Sequence, residues 1–339
     1  MKQPAIPPTT VVITSIFAPT VAVQEIARRP GLQLIVVGDC KTPQDWHCDG
    51  VQYLSLGAQQ QLHPQLATLI PHNHYARKMM GYLQAIYHGA QTIVDTDDDN
   101  IPLADWSFPP TQGCFEATPP GLGFINVYQR YTRAPIWPRG LPLVHVLQGA
   151  DWLQRLSQQN VRVAIWQALS HGEPDVDAIY RLVIGQPCNF EDGNPVVLRP
   201  GTACPFNSQN TWFASEAFAL LYIPAYVSFR FCDILRGLVA QPILWQHGLH
   251  LGFTQATVRQ ERNPHNLMHD FESELTMHQH SSRILDIVQA AIQPGQSMTS
   301  QLHAAYCALV RHQIVPDTEV ALLECWLKAL ADTDAAQAR

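Results

Sequence analysis

The acidic segment Asp95–Asn100, which reads Asp-Thr-Asp-Asp-Asp-Asn, constrains this chain more than any other feature. It follows the run Thr92–Val94, which is short and β-branched and therefore predicts a buried strand. Carboxylates this close repel one another and raise each other's pKa values unless a cation neutralises them. Ligands bind at the carboxyl edge of the strands in an open α/β sheet. The segment therefore predicts an Mg²⁺ or Mn²⁺ site with oxygen ligands, beside a phosphorylated or nucleotide substrate.

Three other interpretations of the acidic segment compete with a divalent metal site. An EF-hand loop that starts at Asp95 requires Gly at its sixth position and Glu at its twelfth, but Asn100 and Trp106 stand there. A phosphohydrolase with Asp95 as nucleophile and Asp97 as acid fits the local spacing. Such a motif normally lies on the first strand of its domain, whereas a long α/β segment precedes this one. A solvated acidic turn is the third alternative.

Composition narrows the class of protein. A chain of 339 residues can bury one large core, and its net charge of −7 argues against a nucleic-acid surface. The sequence has no apolar stretch of membrane-span length, and Met1–Pro4 leads almost directly into a strand, which leaves no room for a signal peptide. The eight cysteines form no C-x-x-C pair, which fits neither a zinc framework nor a disulfide scaffold. These features predict a cytoplasmic protein without nucleic-acid partners.

Strands and helices alternate over about the first hundred residues. Apolar runs predict strands at Val11–Ile16, Leu32–Val37 and Val51–Leu56, and amphipathic spacing predicts helices at Val21–Arg28 and Asn73–His88. Such alternation predicts an α/β fold with a mostly parallel sheet and right-handed crossovers. Because no Gly-x-Gly-x-x-Gly or Walker sequence is present, a standard dinucleotide or P-loop site is not expected.

The remainder of the chain is predicted with less regularity. Val161–Ala168 predicts a short element, Asn207–Leu220 a loop that leads into a helix, and Phe231–Ala240 a helix. Beyond His269 the pattern is helical. We therefore expect a sheet domain over residues 1–270 and a C-terminal helical extension over residues 271–339 that packs on it.

A series of short segments, in a fixed order between Val11 and Asp270, resembles a known family. The segments are Val36–Asp39, Lys41–Pro43, Asn73–Lys78, Gly81–Leu83, Ala85-Ile86, Gly89-Ala90, Asp95–Asn100, Asn207–Thr211, Arg230, Asp233-Ile234, Arg236-Gly237, Leu244-Trp245, Gln260, Arg262-Asn263 and His265. Together they resemble the STELLO-type glycosyltransferase-like domain and, more broadly, the GT-A nucleotide-sugar transferases. The resemblance implies a GT-A-like (Rossmann-like) fold. It also implies metal-dependent transfer of a sugar from a nucleoside-diphosphate sugar, UDP-sugar by default, to the hydroxyl group of a carbohydrate or other acceptor.

The resemblance assigns the metal ligands. In GT-A enzymes the metal bridges the donor's diphosphate and takes up charge as the sugar–phosphate bond breaks. Asp97 and Asp99 form the Asp-x-Asp pair, in which Asp99 is the direct ligand and Asp97 contacts the ribose or a metal-bound water. His265 matches the third ligand that often comes late in such domains, although a surface histidine is the alternative.

The donor site is assigned from strand ends and from the matching segments. Arg77 and Lys78 begin a helix, where cations oppose the helix dipole. Binding a diphosphate or sugar hydroxyls would explain them, and a solvated basic turn is the alternative. Asp39 is placed to contact the nucleobase or ribose, with Thr14 and Ser15 flanking the base. The donor residues are completed by Lys41, Arg262, Asn207 and Gln209, the last two because amides suit sugar hydroxyls.

Asp233 is the candidate general base or acceptor-binding residue, with Arg236 beside it in an Asp-x-x-Arg spacing. An ordinary helical salt bridge between the two is the alternative. Asp192 and Glu216 are weaker candidates for the base. Trp106, Trp137, Trp212 and Trp245 could stack on sugars, but core packing is the more typical role of such residues. Two further functions stay open: a nucleotide-sugar-binding or assembly protein without turnover, and a sugar-nucleotide mutase.

Overall fold

The computed structural model describes residues 9–261 and 266–337. Its strands are β1 (Thr9–Thr14), β2 (Leu32–Val37), β3 (Val51–Leu54), β4 (Thr92–Thr96), β5 (Asn100–Pro102), β6 (Gln112–Ala117), β7 (Gly123–Phe124), β8 (Ser157–Gly172), β9 (Val196–Leu198), β10 (Thr202–Ala203), β11 (Asn210–Ala214) and β12 (His250–Gln260). Its α-helices are α1 (Val21–Ala27), α2 (Leu56–Leu62), α3 (Pro64–Leu69), α4 (Lys78–Tyr87), α5 (Ala178–Val183), α6 (Cys232–Gln246), α7 (Leu267–Ala291), α8 (Met298–Arg311) and α9 (Thr318–Gln337). Short 3₁₀ helices include Tyr75–Arg77 and Ser215–Leu221.

Within residues 9–261 and 266–337, the main sheet has ten strands in the order β3-β2-β1-β4-β11-β8-β6-β9-β12-β5. Strands β3, β2, β1 and β4 pair in parallel, and β11 joins β4 in the antiparallel sense. The parallel strands therefore end at one edge, where loops to the helices begin. The α/β class with flanking helices is confirmed. The sheet is mixed: besides the first four strands, β8 pairs in parallel with β12 and β6 with β9, whereas β11 and β5 pair in the antiparallel sense.

Hydrophobic cores lie on both faces of the sheet. Val12 on β1 belongs to the larger core, which includes side chains of α4, α6, α8 and α9, whereas Val11 and Ile13 belong to the core that contains α1. This division follows from the strand geometry, since successive side chains point to opposite faces. Strands covered on both sides have little room for polar side chains, which explains the continuous apolar run of β1.

Helix α4 lies very close to the parallel strands. A Cβ atom at Gly81 would stand 2.5 Å from Val12 Cγ1 and 2.7 Å from Val37 Cγ2, so this position accommodates only hydrogen. The close contact brings the first residue of α4, Lys78, and the preceding Tyr75 to the end of β4. The packing of one helix thus positions side chains at the acidic strand end.

The sequence-based expectation for Asn207–Leu220 was wrong in detail. The segment forms strand β11 and then a 3₁₀ helix rather than a loop that leads into an α-helix. Thr211 lies opposite Asp95 on β4 and Gln167 on β8, and its hydroxyl donates to Gln167 Oε1 at 2.9 Å. A polar stretch can form a central strand here because neighbouring side chains satisfy its hydrogen bonds.

The C-terminal helices α7, α8 and α9 pack on one face of the sheet domain, and their buried side chains belong to the larger core. The proposed boundary at residue 270 stays a prediction, since α7 begins at Leu267 and continues to Ala291. Within the part of the chain that the structure describes, no helix combines the length and the apolar character that crossing a membrane requires.

Candidate active site

A cleft with a cavity of about 310 Å³ opens at the carboxyl ends of the parallel strands. Thr14 and Ser15 at the end of β1, Asp39 after β2 and Asp97–Asp99 at the end of β4 line one part of it. Residues from the loops around β7, β8 and β11 and from the segment before α6 line the other part. The cleft thus lies at the sheet edge where the sequence predicts the site.

Asp95 lies inside the protein rather than in the cleft. Its carboxylate is fully buried, with Lys78 Nζ at 2.8 Å from Oδ1 and Arg236 Nη1 at 2.8 Å from Oδ2. Burial alone raises the pKa of Asp95, but the two cations outweigh burial and hold that pKa below its usual value. The phosphohydrolase alternative is therefore wrong, because a nucleophilic Asp95 would have to be accessible to a substrate.

Asp97 borders the cleft, and it too is paired with Lys78. Its Oδ1 accepts a hydrogen bond of 2.8 Å from Lys78 Nζ and a second one from the Tyr75 hydroxyl. Lys78 is completely buried between Asp95 and Asp97. Although burial by itself lowers the pKa of Lys78, the two carboxylates raise it above its usual value. The structure thus gives Lys78 an internal role as their counter-ion in place of the predicted contact with a diphosphate.

Asp98 and Asp99 line the cleft without a cationic partner among the described residues. Asp98 accepts a hydrogen bond from the Ser15 hydroxyl, and Asp99 Oδ2 accepts one of 2.9 Å from Gln260 Nε2. Asp99 Oδ1 is buried and has no hydrogen-bond partner among the described residues. Burial raises the pKa of Asp98 to about 6, and burial together with Asp97 raises that of Asp99 to about 7. A carboxylate with these properties would be stabilised by a cation in the cleft.

The donor set fits a hard divalent cation, since carboxylate oxygens are ligands that Mg²⁺ and Mn²⁺ accept. The described residues contain no ready-made group of three or more His, Cys, Asp and Glu side chains around one metal position. The predicted third ligand, His265, and the predicted donor residue Arg262 lie outside the described residues.

The predicted donor residues at the ends of β1 and β2 lie together. Thr14, Ser15, Asp39 and Lys41 all line the cleft. The Asp39 carboxylate accepts hydrogen bonds from the backbone N–H groups of Cys40, at 2.7 Å, and His74, at 3.3 Å, which fixes its orientation. These residues form the side of the cleft that the sequence assigned to a nucleoside.

Arg77 has a larger structural role than the sequence suggested. Its side chain is buried, and its terminal nitrogens donate to Gln59 Oε1 at 2.9 Å and to the carbonyls of Ala67 and Ile70 at 3.1 Å each. Part of Arg77 still lines the cleft, with Nε at 4.0 Å from Asp39 Oδ2. Most of the guanidinium therefore ties α3 to the start of α4, and little of it is left for a diphosphate.

Two predicted sugar-binding amides occupy different places. Gln209 lines the cleft, where its Nε2 donates to Gln260 Oε1 at 2.7 Å, and Gln260 in turn holds Asp99. Asn207 is buried beside the cleft, and its Nδ2 donates to Asp175 Oδ2 at 2.8 Å. Gln209 can reach a ligand, whereas Asn207 orients another carboxylate.

An arginine–carboxylate cluster forms another part of the cleft wall, and its central residue, Arg139, was not among the predicted site residues. Arg139 donates through Nε and Nη2 to Asp175, both at 2.8 Å, and through Nη1 and Nη2 to Asp233, at 3.1 and 2.9 Å. All three residues line the cleft. The only local signal for Arg139 in the sequence is the glycine that follows it. In the structure, Gly140 has a φ of +88°, and a Cβ atom there would collide with Ile234. Because Ile234 belongs to α6, a glycine at position 140 allows the loop that carries Arg139 to pack closely against this helix, next to Asp233.

Asp233 therefore has a different partner from the one predicted. The helical pair with Arg236 does not form, because Arg236 turns to Asp95 and to the carbonyl of Asn207. Arg236 is 2% exposed, so it contacts no substrate and the catalytic role assigned to it is wrong. Besides Arg139, the backbone N–H groups of Ser208 and Ile234 donate to Asp233. A carboxylate held by this many donors is better suited to orienting an acceptor hydroxyl than to removing its proton.

The predicted tryptophans do not line the cleft, whereas a phenylalanine does. Trp137 and Trp212 are buried in the cores, and Trp106 and Trp245 pack against them. Phe229, just before α6, lines the cleft and is 53% exposed. It was missed because the segment Phe229-Arg230-Phe231 shows no period that distinguishes an exposed aromatic residue from a core one.

The chain is similar in sequence to proteins of one family. The family model described as STELLO glycosyltransferases matches residues 230–336. The probable glycosyltransferase STELLO2 of Arabidopsis thaliana is 30% identical over 301 residues, which are 83% of this chain and 39% of that protein. The probable glycosyltransferase STELLO1 of the same plant is 31% identical over 259 residues, 70% of this chain and 33% of that protein. The chain thus spans well under half the length of both relatives.

Solved structures also match. Glucosyl-3-phosphoglycerate synthase from Mycobacterium tuberculosis, in complex with phosphoglyceric acid, aligns with a TM-score of 0.41 and 10% identity, over 86% of this chain and 82% of that one. Another structure of that synthase, in complex with Mn²⁺, UDP-glucose and glycerol 3-phosphate, aligns with a TM-score of 0.40.

The parallel strands, the helices on both faces and the acidic cleft at the strand ends define a Rossmann-like α/β domain. The sequence matches then identify the family. The chain is a member of the STELLO-type glycosyltransferase family.

Proposed function

We propose that this chain is a metal-dependent glycosyltransferase that moves a sugar from a nucleoside-diphosphate sugar, UDP-sugar by default, to a hydroxyl acceptor. The observation that carries the proposal is that only some of the carboxylates at the end of β4 are neutralised by cationic side chains. Asp95 and Asp97 have Lys78 as a buried counter-ion, whereas Asp98 and Asp99 face the cleft without a cation among the described residues. Burying carboxylates without a counter-ion is costly, and a ligand that brings positive charge explains the arrangement.

Asp99 is the first candidate for the metal ligand, because its buried Oδ1 has no hydrogen-bond partner in the part of the chain that the structure describes. Asp98 and Asp97 are next to it in the cleft, and His265 stays a proposed ligand. A divalent cation bound there, Mn²⁺ or Mg²⁺, would supply Lewis-acid stabilisation of the charge on a departing diphosphate. Gln260 holds the other oxygen of Asp99 and so orients this carboxylate toward the cleft.

The proposed donor side consists of residues at the ends of β1 and β2. Asp39 is held by two backbone N–H groups and is placed to accept hydrogen bonds from a ribose or base. Thr14 and Ser15 lie at the next strand end, and Lys41 extends from the loop after Asp39 with a charge that suits a diphosphate. Arg262 also stays a proposed donor residue.

The proposed acceptor side is the cluster of Arg139, Asp175 and Asp233. The guanidinium fixes both carboxylates, so that their remaining lone pairs have a defined direction. Fixed carboxylates orient sugar hydroxyls, and holding the reacting groups in place contributes much of the rate in such reactions. We propose that Asp233 binds the acceptor hydroxyl and does not act as a free base.

The test is a thermal-shift and calorimetric screen of nucleoside diphosphates and nucleotide sugars, with and without Mn²⁺. We expect one nucleotide to stabilise the protein only when the metal is present. Asp99→Asn should abolish this dependence, whereas Asp286→Asn, an exposed carboxylate on α7, should leave it unchanged. Failure of every nucleotide to bind folded protein would contradict the donor site.

Turnover separates the proposal from its alternatives. Under the proposed function, a nucleotide sugar that binds is consumed faster when an acceptor is added, and a new glycoside appears. A sugar-nucleotide mutase would isomerise its nucleotide sugar without an acceptor. A binding or assembly protein would hold the nucleotide sugar without consuming it.

A further inference from the structure

Phe229 exposes an aromatic ring in the cleft, whose lining combines apolar side chains such as Ile16 and Phe17 with the carboxylates at the strand ends. Its exposed fraction is 53%, although most large apolar side chains of the described part of the chain are buried. A single exposed apolar residue on a protein surface needs no explanation. One that lines a ligand-sized cavity is a candidate contact, because such cavities combine apolar faces with a few placed polar groups.

The backbone around Phe229 is fixed, so its exposure does not result from a loose loop. Phe231 N–H donates to the carbonyl of Ser228 at 2.9 Å, and the Cys232 thiol donates to the carbonyl of Phe229 at 3.1 Å. On the C-terminal side, Arg230 is held by the fully buried Glu274 of α7, with Nε at 2.9 Å from Oε1.

The segment before Phe229 is anchored as well. The backbone N–H of Tyr226 donates to Glu319 Oε2 at 2.8 Å, and that of Ala225 donates to Oε1 at 3.1 Å. The Tyr226 hydroxyl donates to the carbonyl of Leu69 at 2.7 Å. Helices α7 and α9 therefore hold Phe229 from both sides in the position where its ring meets the cleft.

The Phe229 ring also has a defined orientation relative to His74 and Tyr75, which precede α4. Its centroid lies 5.7 Å from that of Tyr75 at an interplanar angle of 77°, and 6.2 Å from that of His74 at 76°. Tyr75 in turn donates its hydroxyl to Asp97. These near-perpendicular contacts are typical of aromatic pairs and leave part of the ring surface to the cleft.

We propose that Phe229 is a stacking platform for the pyranose ring of a substrate, which rests on the proposed function and names the substrate's chemical class. A pyranose presents weakly positive C–H groups on one face, which match the negative face of an aromatic ring, and hydroxyl groups around its edge. The same cleft offers carboxylate and amide groups for those hydroxyls, on Asp175, Asp233 and Gln209. The ring belongs either to the sugar of the donor or to a carbohydrate acceptor, and both sources share this chemistry.

The test compares Phe229→Leu, which keeps an apolar side chain, with Phe229→Tyr, which keeps the aromatic ring. Tyr87→Leu is the matched control, because Tyr87 is 56% exposed and lies outside the cleft. The probes are UDP, UDP-glucose and UDP-galactose with Mn²⁺ by calorimetry, and free glucose, galactose, mannose and cellobiose by saturation-transfer NMR. Circular dichroism and the unfolding midpoint establish that each variant is folded.

We expect Phe229→Leu to weaken binding of a sugar-containing probe by about three- to tenfold, with Phe229→Tyr and Tyr87→Leu close to the wild type. A loss for a UDP-sugar but not for UDP assigns the ring to the donor sugar. A loss for a free saccharide, with both nucleotides unchanged, assigns it to the acceptor. Equal binding of all sugar probes by Phe229→Leu and wild type, or the absence of any sugar binding by wild type, overturns the proposal. If UDP and the UDP-sugars do not bind but a free saccharide does, the proposed donor site is contradicted. The NMR measurement with free saccharides then still decides the role of Phe229.

Discussion

At the scale of single residues, the end of β4 separates charges that belong to the fold from charges that are available to a ligand. Lys78 and Arg236 neutralise Asp95 from within the protein, and removing either partner would leave an uncompensated buried charge. Asp98 and Asp99 lack such a partner among the described residues, and their pKa values of about 6 and about 7 record the unfavourable burial. Binding sites commonly keep such carboxylates, because a group that destabilises the free protein can be needed to bind a ligand.

The pKa of Asp99 gives a pH-dependent prediction for the metal-free protein. A carboxyl group with a folded pKa of about 7 and an unfolded pKa of about 4 binds its proton more tightly when folded. Its stabilising contribution is present below pH 4 and is lost as the pH rises through about 7. In EDTA at pH 8, we therefore expect Asp99→Asn to be more stable than wild type by about 1–3 kcal/mol, with a smaller difference at pH 5.

Urea denaturation at the two pH values measures this difference, with Asp286→Asn as the exposed control. Addition of Mn²⁺ at pH 8 should then raise the stability of the wild type and leave Asp99→Asn unchanged, because a ligand stabilises only the form that binds it. A difference between Asp99→Asn and wild type that is the same at pH 5 and pH 8 would contradict the pKa assignment.

Residues at strand ends were predictable, and residues brought in by loops were not. Thr14, Asp39 and Asp97–Asp99 each follow an apolar strand, so one rule about sheet edges placed them together in the cleft. Arg139 meets its partner Asp233 across 94 positions of sequence, and no local pattern encodes such a contact. Arg236 illustrates the opposite error, since local spacing paired it with Asp233 whereas burial pairs it with Asp95.

At the scale of secondary-structure elements, α4 links the core to the site. Its Gly81 allows the helix to approach β1 and β2 closely, and the same helix starts with Lys78, the counter-ion of Asp95 and Asp97. A side chain at Gly81 would push the helix away from the sheet and shift Lys78 with it. Among the elements, β2 has the bounds that its apolar run predicted, whereas β1 is shifted two residues toward the N-terminus and α4 begins at Lys78 instead of Asn73. Strand β8 was expected only as a short element over Val161–Ala168, and its polar first residues, which are exposed or half-buried, gave no signal for its full length from Ser157 to Gly172.

We expect Gly81→Ala to lower the free energy of unfolding by about 1–3 kcal/mol, as overpacking in a core does. Gly57→Ala on α2 is the matched control, because the nearest atom to its Cβ would be Ser55 Oγ at 3.8 Å. That substitution should be neutral or stabilising, since alanine favours a helix over glycine by up to about 1 kcal/mol. Urea denaturation of both variants measures the difference, and equal effects would contradict the close packing of α4.

At the scale of the whole molecule, the sheet and the C-terminal helices share one core. Leu322 and Trp326 of α9 belong to the same buried cluster as Val12 of β1 and Met79 of α4. The fully buried Glu319 of α9 adds a polar connection, because it accepts hydrogen bonds from the segment that leads to Phe229. The helical extension is therefore part of the structure that holds the cleft.

This arrangement predicts that the protein unfolds in one transition. Glu319→Ala removes the acceptor for two backbone N–H groups and for the Tyr222 hydroxyl, so we expect a loss of about 2–4 kcal/mol of unfolding free energy. Glu324→Ala on the same helix is the control, because its carboxylate is exposed and bonds only to His303 among the contacts of the described residues. Far-ultraviolet circular dichroism and tryptophan fluorescence should report the same midpoint for Glu319→Ala, shifted from wild type. Two separate transitions, with only the helical one shifted, would instead show that the C-terminal helices are an independent unit and that their packing does not stabilise the cleft.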